Sequence, residues 1–175
     1  MAIMQKYGIE KIKTIGDAYM CVSGVPDQNN SHALNIIYAA FELRDFVQKR
    51  IQELKLQKRP YLEVRIGIHT GSLVAGVVGS KKFAFDLWGD AVNMAARMEQ
   101  SSEPGAINIS EDVCQLVKNN FELELRGEIE AKNKGKMRMY FVKKAKMKPW
   151  KIFKLKWAQL ANLSFTPNGF QPPLG

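Results

Sequence analysis

Residues 11–26 read KIKTIGDAYMCVSGVP, and the way this stretch folds back on itself decides the architecture around it. Its flanks IEKIKTI and AYMCVSG are rich in β-branched and aromatic residues. Gly16-Asp17 between them is a two-residue connection that favours a tight hairpin. Asp17 is therefore expected at an exposed tip, four residues after Lys13 on the first arm.

Downstream, the breaker VPDQNNS ends in Ser31, a candidate N-cap. Leu34, Ile37, Phe41, Phe46, Val47, Ile51 and Leu54 then recur near helical spacing toward Lys58. This predicts a long amphipathic helix with its charges on the other face. YLEVRIGIHTGSLVAGVVG reads as two strands around His69-Thr70-Gly71, with glycines that suit close backbone approach. FAFDLWGD follows as a short strand, and DAVNMAARMEQ as a helix capped by Asp90. PGAINIS is another strand, Ser110 caps the helix EDVCQLVKN, and FELELRGEIEA and MRMYFVKK close the body as alternating strands. Hairpins with two or three covering helices predict an α+β sandwich with a mainly antiparallel sheet.

At 175 residues the chain is one domain with a real core, or one domain and an appendage. No run approaches the ~20 apolar residues of a bilayer-spanning helix, and MAIMQKYGIE lacks a basic stretch followed by an apolar one, so no export or spanning signal is expected. Cys21 and Cys114 are the only cysteines and have no nearby His pair. That argues against a disulfide framework or a zinc site and for a reducing, cytoplasmic setting.

The net charge of +9 resembles a nucleic-acid or membrane signal until it is located along the chain. Seven lysines (Lys143, Lys144, Lys146, Lys148, Lys151, Lys154 and Lys156) lie in the C-terminal stretch with no acidic residue, and removing those seven charges from +9 leaves +2 for the rest. The body is nearly neutral, and no nucleic-acid partner is expected. From Lys148 the pattern becomes KPWKIFKLKWAQLANLSFTPNGFQPPLG. The chain is accordingly divided into a body, residues 1–145, and a basic-aromatic tail, residues 146–175, expected to be poorly ordered. The stripe KPWKIFKLKW suits weak contact with an anionic membrane surface, and an unstructured extension accounts for it equally well.

Five positions carry candidate chemistry in the body, and two more lie in a basic loop. Asp17, taken alone, is an ordinary turn residue, yet a hairpin tip also presents a carboxylate to Mg²⁺ or Mn²⁺. Asn93 and Arg97 are four apart on the predicted helix and share a face, either as a solvated polar surface or as a donor pair for a phosphate or a charged transition state. Lys132 and Lys134 in AKNKGKMRMY lie in a loop before the last strand, where ammonium groups reach solvent or a polyphosphate. Lys13 and Asp86 each fall inside a predicted strand among apolar neighbours. Facing one cavity, they would pair a donor with an acceptor for the edge of a purine.

Together, KIKTIGDAYMCVSGVP, VRIGIHTGSLVAGVVGSKKFAFDLWGDAVNMAARME, PGAINIS and KNKGKMRMYFV are similar, in order and spacing, to the catalytic domain of the class III nucleotidyl cyclases, the adenylate and guanylate cyclase family. The resemblance covers about residues 5 to 144 and is nearest to the homodimeric adenylate cyclases. It implies a ferredoxin-like antiparallel sheet with covering helices, lacking the family's first strand. It also implies that Asp17 is a metal ligand, that Lys13 and Asp86 read the base, and that Asn93 and Arg97 orient the ribose and stabilise the pentavalent phosphorus. Lys132 would contact the terminal phosphates, with Lys134 as a second candidate because Asn133 stands where the family more often has Gly. Lys13 with Asp86 points to adenine, hence to ATP, Mg²⁺ or Mn²⁺, and cyclic AMP with pyrophosphate as products.

The family's first metal aspartate, in a motif of the type F-x-D-I-x-G-F upstream of the hairpin, has no counterpart among the sixteen residues before Asp17. The expectation is the C-terminal part of a longer or split product, or a decayed copy, with two-metal chemistry impaired in this chain alone. In the family the site is similar to a cleft between two catalytic domains, so a homodimer or pairing with another cyclase domain is implied. Three readings stand: an adenylate cyclase, a non-catalytic dimerisation or regulatory partner, and a guanylate cyclase, which Lys13 opposes.

Overall fold

The computed structural model describes residues 2–131 and 135–146. The chain opens with a short helix α1 (Ala2–Lys6), which the sequence pattern did not announce, and enters the hairpin β1 (Ile9–Ile15) and β2 (Ala18–Ser23). Ile15 pairs with Ala18, so Gly16-Asp17 is indeed the two-residue connection, and Gly16 takes φ +60°, which glycine reaches at no steric cost.

The long helix is α2 (His32–Leu56). Ser31 occupies its N-cap, but its hydroxyl makes no capping bond. Ala33, Ile37, Tyr38, Ala39 and Ala40 are buried, and Val47, Ile51 and Leu54 keep the period as half-buried residues, whereas Phe46, expected on the core face, is 64% exposed. From Phe41 onward the helix has only half-buried and exposed residues. Its apolar side there meets Pro60, Tyr61 and Leu62 around an apolar cavity of ≈ 490 Å³ instead of the core.

Then follow β3 (Ile66–Ile68), β4 (Val74–Val78), β5 (Ala84–Trp88) and α3 (Asp90–Gln100). The two strands expected around His69-Thr70-Gly71 exist but do not pair with each other: β4 pairs with β5. Gly89, not Asp90, is the N-cap of α3. Asp90 is the first helical residue, where its negative charge complements the helix dipole.

The remaining elements are β6 (Ile107–Ser110), α4 (Glu111–Val117), β7 (Phe121–Ala131) and β8 (Gly135–Ala145). Ser110 is the N-cap of α4 in backbone terms, but its Oγ lies 2.8 Å from His69 Nδ1 and makes no capping bond. His32 Nε2 lies 3.3 Å from Thr70 Oγ1, so the His69-Thr70 turn ties the end of β3 to the N-termini of both α2 and α4.

The fold class is α+β as expected, with a mixed sheet. Four strands run in the order β3-β6-β8-β7, and β3 and β6 are parallel while the other two pairs are antiparallel. The hairpins β1-β2 and β4-β5 are separate two-stranded sheets. The main core lies between α2, α4 and the four-stranded sheet, with Ile37, Ile107, Ile109, Val113, Val117 and Phe121 fully buried. Phe121 packs its ring 5.1 Å from that of Tyr38 and 6.0 Å from that of Phe41. A second, smaller cluster of Met94, Met98 and Met139 lies under α3. No helix among the described residues is long and apolar enough to cross a membrane.

Candidate active site

Lys13 and Asp86 meet. The ammonium donates to Asp86 Oδ2 at 2.7 Å, and the Leu87 backbone N–H donates to Asp86 Oδ1 at 2.8 Å, so both carboxylate oxygens are held. The Asp86 side chain is 18% exposed and that of Lys13 42%. The Lys13 ammonium first, and the Leu87 amide second, hold the Asp86 carboxyl below the usual carboxylate range.

A β-bulge aims Lys13 at this partner. Lys11 stands opposite Cys21 and Lys13 opposite Met20, which leaves Ile12 as the extra residue. Lys11 therefore shares a face with Cys21 and Tyr19, and its Nζ lies 5.3 Å from the Tyr19 ring centroid. Lys13 projects from the other face. In a regular strand two residues two apart would share a face, so nothing in the alternation of KIKTI announces this separation.

Asn93 and Arg97 lie on α3 one turn apart, as expected, and Met94 and Met98 take its inward face. Asn93 is exposed. Arg97 Nη1 donates to the Glu130 carbonyl on β7 at 3.0 Å. Because only Gly89 separates β5 from α3, the chain passes from Asp86 to Asn93 through one strand-to-helix junction.

Asp17 is exposed at the β1-β2 tip. No set of three or more His, Cys, Asp or Glu among the described residues converges on a metal-sized site. A lone exposed carboxylate fits a divalent ion that takes its other ligands from phosphate oxygens and water. Lys132 and Lys134 lie outside the described residues, as does the tail from residue 147. Glu130, which accepts from Arg97, is two positions before Lys132. Thus Lys13 and Asp86 touch, and Asn93 and Arg97 share a helix face. Among the described residues no side-chain hydrogen bond joins the two pairs to each other or to Asp17.

Residues 1–144 match the family described as the adenylate and guanylate cyclase catalytic domain, and the chain belongs to it. It is 43% identical over 143 residues to the receptor-type guanylate cyclase gcy-23 of Caenorhabditis elegans, covering 79% of this chain and 13% of that protein. It is 39% identical over 140 residues to an adenylate cyclase of Mycobacterium tuberculosis, covering 80% of this chain and 31% of that one. Among solved structures, the guanylate cyclase domain of RhGC from Catenaria anguillulae, in complex with GTP, superposes with a TM-score of 0.73 at 34% identity, covering 83% of this chain and 78% of that chain. The chain therefore spans less than a third of the length of these two curated relatives, one a guanylate and one an adenylate cyclase.

Proposed function

We propose that this domain is an adenylate cyclase, converting ATP to 3′,5′-cyclic AMP and pyrophosphate. The observation that carries this reading is the 2.7 Å contact of Lys13 with Asp86 between two separate hairpins. A lysine ammonium donates to adenine N1, and a carboxylate accepts from the exocyclic amine. Guanine offers a donor and an acceptor in the opposite places, so the same pair rejects it.

The ribose 3′-hydroxyl gives its proton to solvent water, its oxygen attacks the α-phosphorus to form a new P–O bond, and pyrophosphate leaves with the electron pair of the P–O bond that breaks. Asn93 orients the ribose. The Arg97 guanidinium stabilises charge that develops on the α-phosphoryl oxygens. Lys132, with Lys134, holds the terminal phosphates. Asp17 would hold Mg²⁺ or Mn²⁺, which would supply charge neutralisation and a lowered pKa for the 3′-hydroxyl. Most of the protein's share of the chemistry is positioning.

The site is read as belonging to a pair of catalytic domains, either a homodimer or a pairing with a second cyclase domain. A partner domain that carries the metal carboxylates would complete a site with the Lys13, Asp86, Asn93 and Arg97 half supplied by this chain. The catalytic unit is assigned to residues 1–145 and a cytoplasmic setting, with residues 146–175 as an appendage.

The test is cyclic AMP and cyclic GMP formation by the purified chain with ATP or GTP and Mn²⁺. Cyclic AMP in excess, lost in Asp17→Ala, is the expected result. A preference for GTP overturns the base assignment. ATP binding without turnover, with turnover appearing only when another cyclase domain is added, supports the reading of a non-catalytic partner.

A further inference from the structure

Asn108 is fully buried among the methionines under α3, and its Oδ1 has no hydrogen-bond partner. An unpaired buried acceptor is destabilising, and an apolar side chain would fill this place beside Met98 and Met139 without that cost. The same apolar side chain would, however, leave the Met98 carbonyl without the donor that Asn108 gives it.

Its amide accounts for more. In the last turn of α3, the Ser101 N–H donates to Arg97 O at 3.0 Å and the Ser102 N–H donates to Glu99 O at 2.9 Å. Ser102 is the residue whose amide would ordinarily reach Met98 O. Asn108 Nδ2 donates to Met98 O instead, at 2.8 Å, and reaches Met139 Sδ at 3.4 Å. A side chain from β6 thus caps the C-terminal turn of α3 at the residue next to Arg97.

Gly67, the register partner of Asn108 on β3, completes the seat. A Cβ on Gly67 would stand 1.9 Å from Glu99 N, so the backbone of α3 rests directly on β3. Arg97 is thereby held at two points: its neighbouring carbonyl by Asn108 on β6, and its guanidinium by Glu130 O on β7, with β8 between them.

We infer that Asn108 is a positioning residue for Arg97, setting the place of the guanidinium through the α3 backbone. The inference rests on the transition-state role given to Arg97 above. A misplacement of an ångström is enough to matter in a reaction governed by positioning.

The test uses the full chain and two readouts. In ¹⁵N-arginine spectra, with the Arg97 Nε–H signal assigned by its loss in Arg97→Lys, Asn108→Ala is expected to shift and broaden that signal in protein whose circular dichroism is unchanged. In turnover, Asn108→Ala is expected to lower kcat about 10- to 100-fold with KM changed less than about twofold, and to have under about a twofold effect in an Arg97→Lys background. An unmoved Arg97 signal, or an equal kcat loss in both backgrounds, overturns the inference. Should Asn108→Ala not fold, Asn108→Ser, which keeps a donor, is read by the same spectra. If Arg97→Lys leaves kcat intact, the catalytic role of Arg97 falls, while the spectra still decide whether Asn108 sets its place.

Discussion

Lys13 and Asp86 are 73 residues apart in sequence and 2.7 Å apart in the fold, and each stands on a different two-stranded sheet. The contact exists because a bulge at Ile12 turns Lys13 away from the face of Lys11, and because the Leu87 amide fixes the other carboxylate oxygen of Asp86. It links the base-reading role proposed for the pair to its local electrostatics.

Replacing both partners tests the specificity. Lys13→Glu with Asp86→Cys is expected to move the ratio of cyclic GMP to cyclic AMP toward GTP by about 100-fold or more, since a polar base-reading site discriminates by leaving its own groups unpaired against the wrong base. The ratio of kcat/KM values for the two nucleotides is the measurement. An unchanged ratio removes Lys13 and Asp86 from base reading.

The same pair sets an acid dependence. The folded Asp86 carboxyl titrates below its unfolded range, chiefly because of Lys13, so its contribution to stability is present above the unfolded pKa and is lost as pH falls through the folded one. Wild-type protein is expected to have a higher Tm than Lys13→Met near neutrality. That difference closes as pH drops below the carboxylate range, as thermal melts between pH 7 and pH 3 would show. A difference that is constant with pH would mean that the ion pair is not its source.

Cysteine reactivity follows burial. Cys21 packs against the core, and its desolvation pushes the thiol up to about 11. Burial also raises the thiol of Cys114. Both are expected to be protonated at pH 8 and to react slowly with a disulfide reagent in the native protein, and rapidly in guanidinium. Raised pKa values also mean that these thiols favour the fold up to their unfolded pKa and cease to do so as pH climbs past it toward the folded value. Native thiols that titrate with reagent as fast as free cysteine would show that the β1-β2 hairpin does not cover Cys21.

Two phenylalanines separate the core from the cavity at the far end of α2. Phe121 is 1% exposed and packed on Tyr38 and Phe41, so Phe121→Ala is expected to cost about 3–5 kcal/mol. Phe46 is 64% exposed on that cavity, and Phe46→Ala is expected to cost under about 1 kcal/mol. Urea melts of the two variants give the comparison directly.

By itself, the sequence determined the elements whose signals are local. Gly16-Asp17 between β-rich arms made the hairpin legible, Asn93 and Arg97 fell four apart on one helical stretch, and the alternation of FELELRGEIEA marked β7. The ordered motifs also placed the chain in its family. Local pattern misplaced what depends on a neighbour distant in sequence. Phe46 kept the helical period yet is exposed, the Ser110 hydroxyl meets His69 and makes no capping bond, and β3 finds its partner in β6, about forty residues on. The tertiary structure alone decided that Lys13 leaves the face of Lys11 and meets Asp86, and that Asn108 reaches Met98 O. A bulge and a side-chain cap are set by the strand or helix on the other side of the contact, and no periodicity along one segment carries that information.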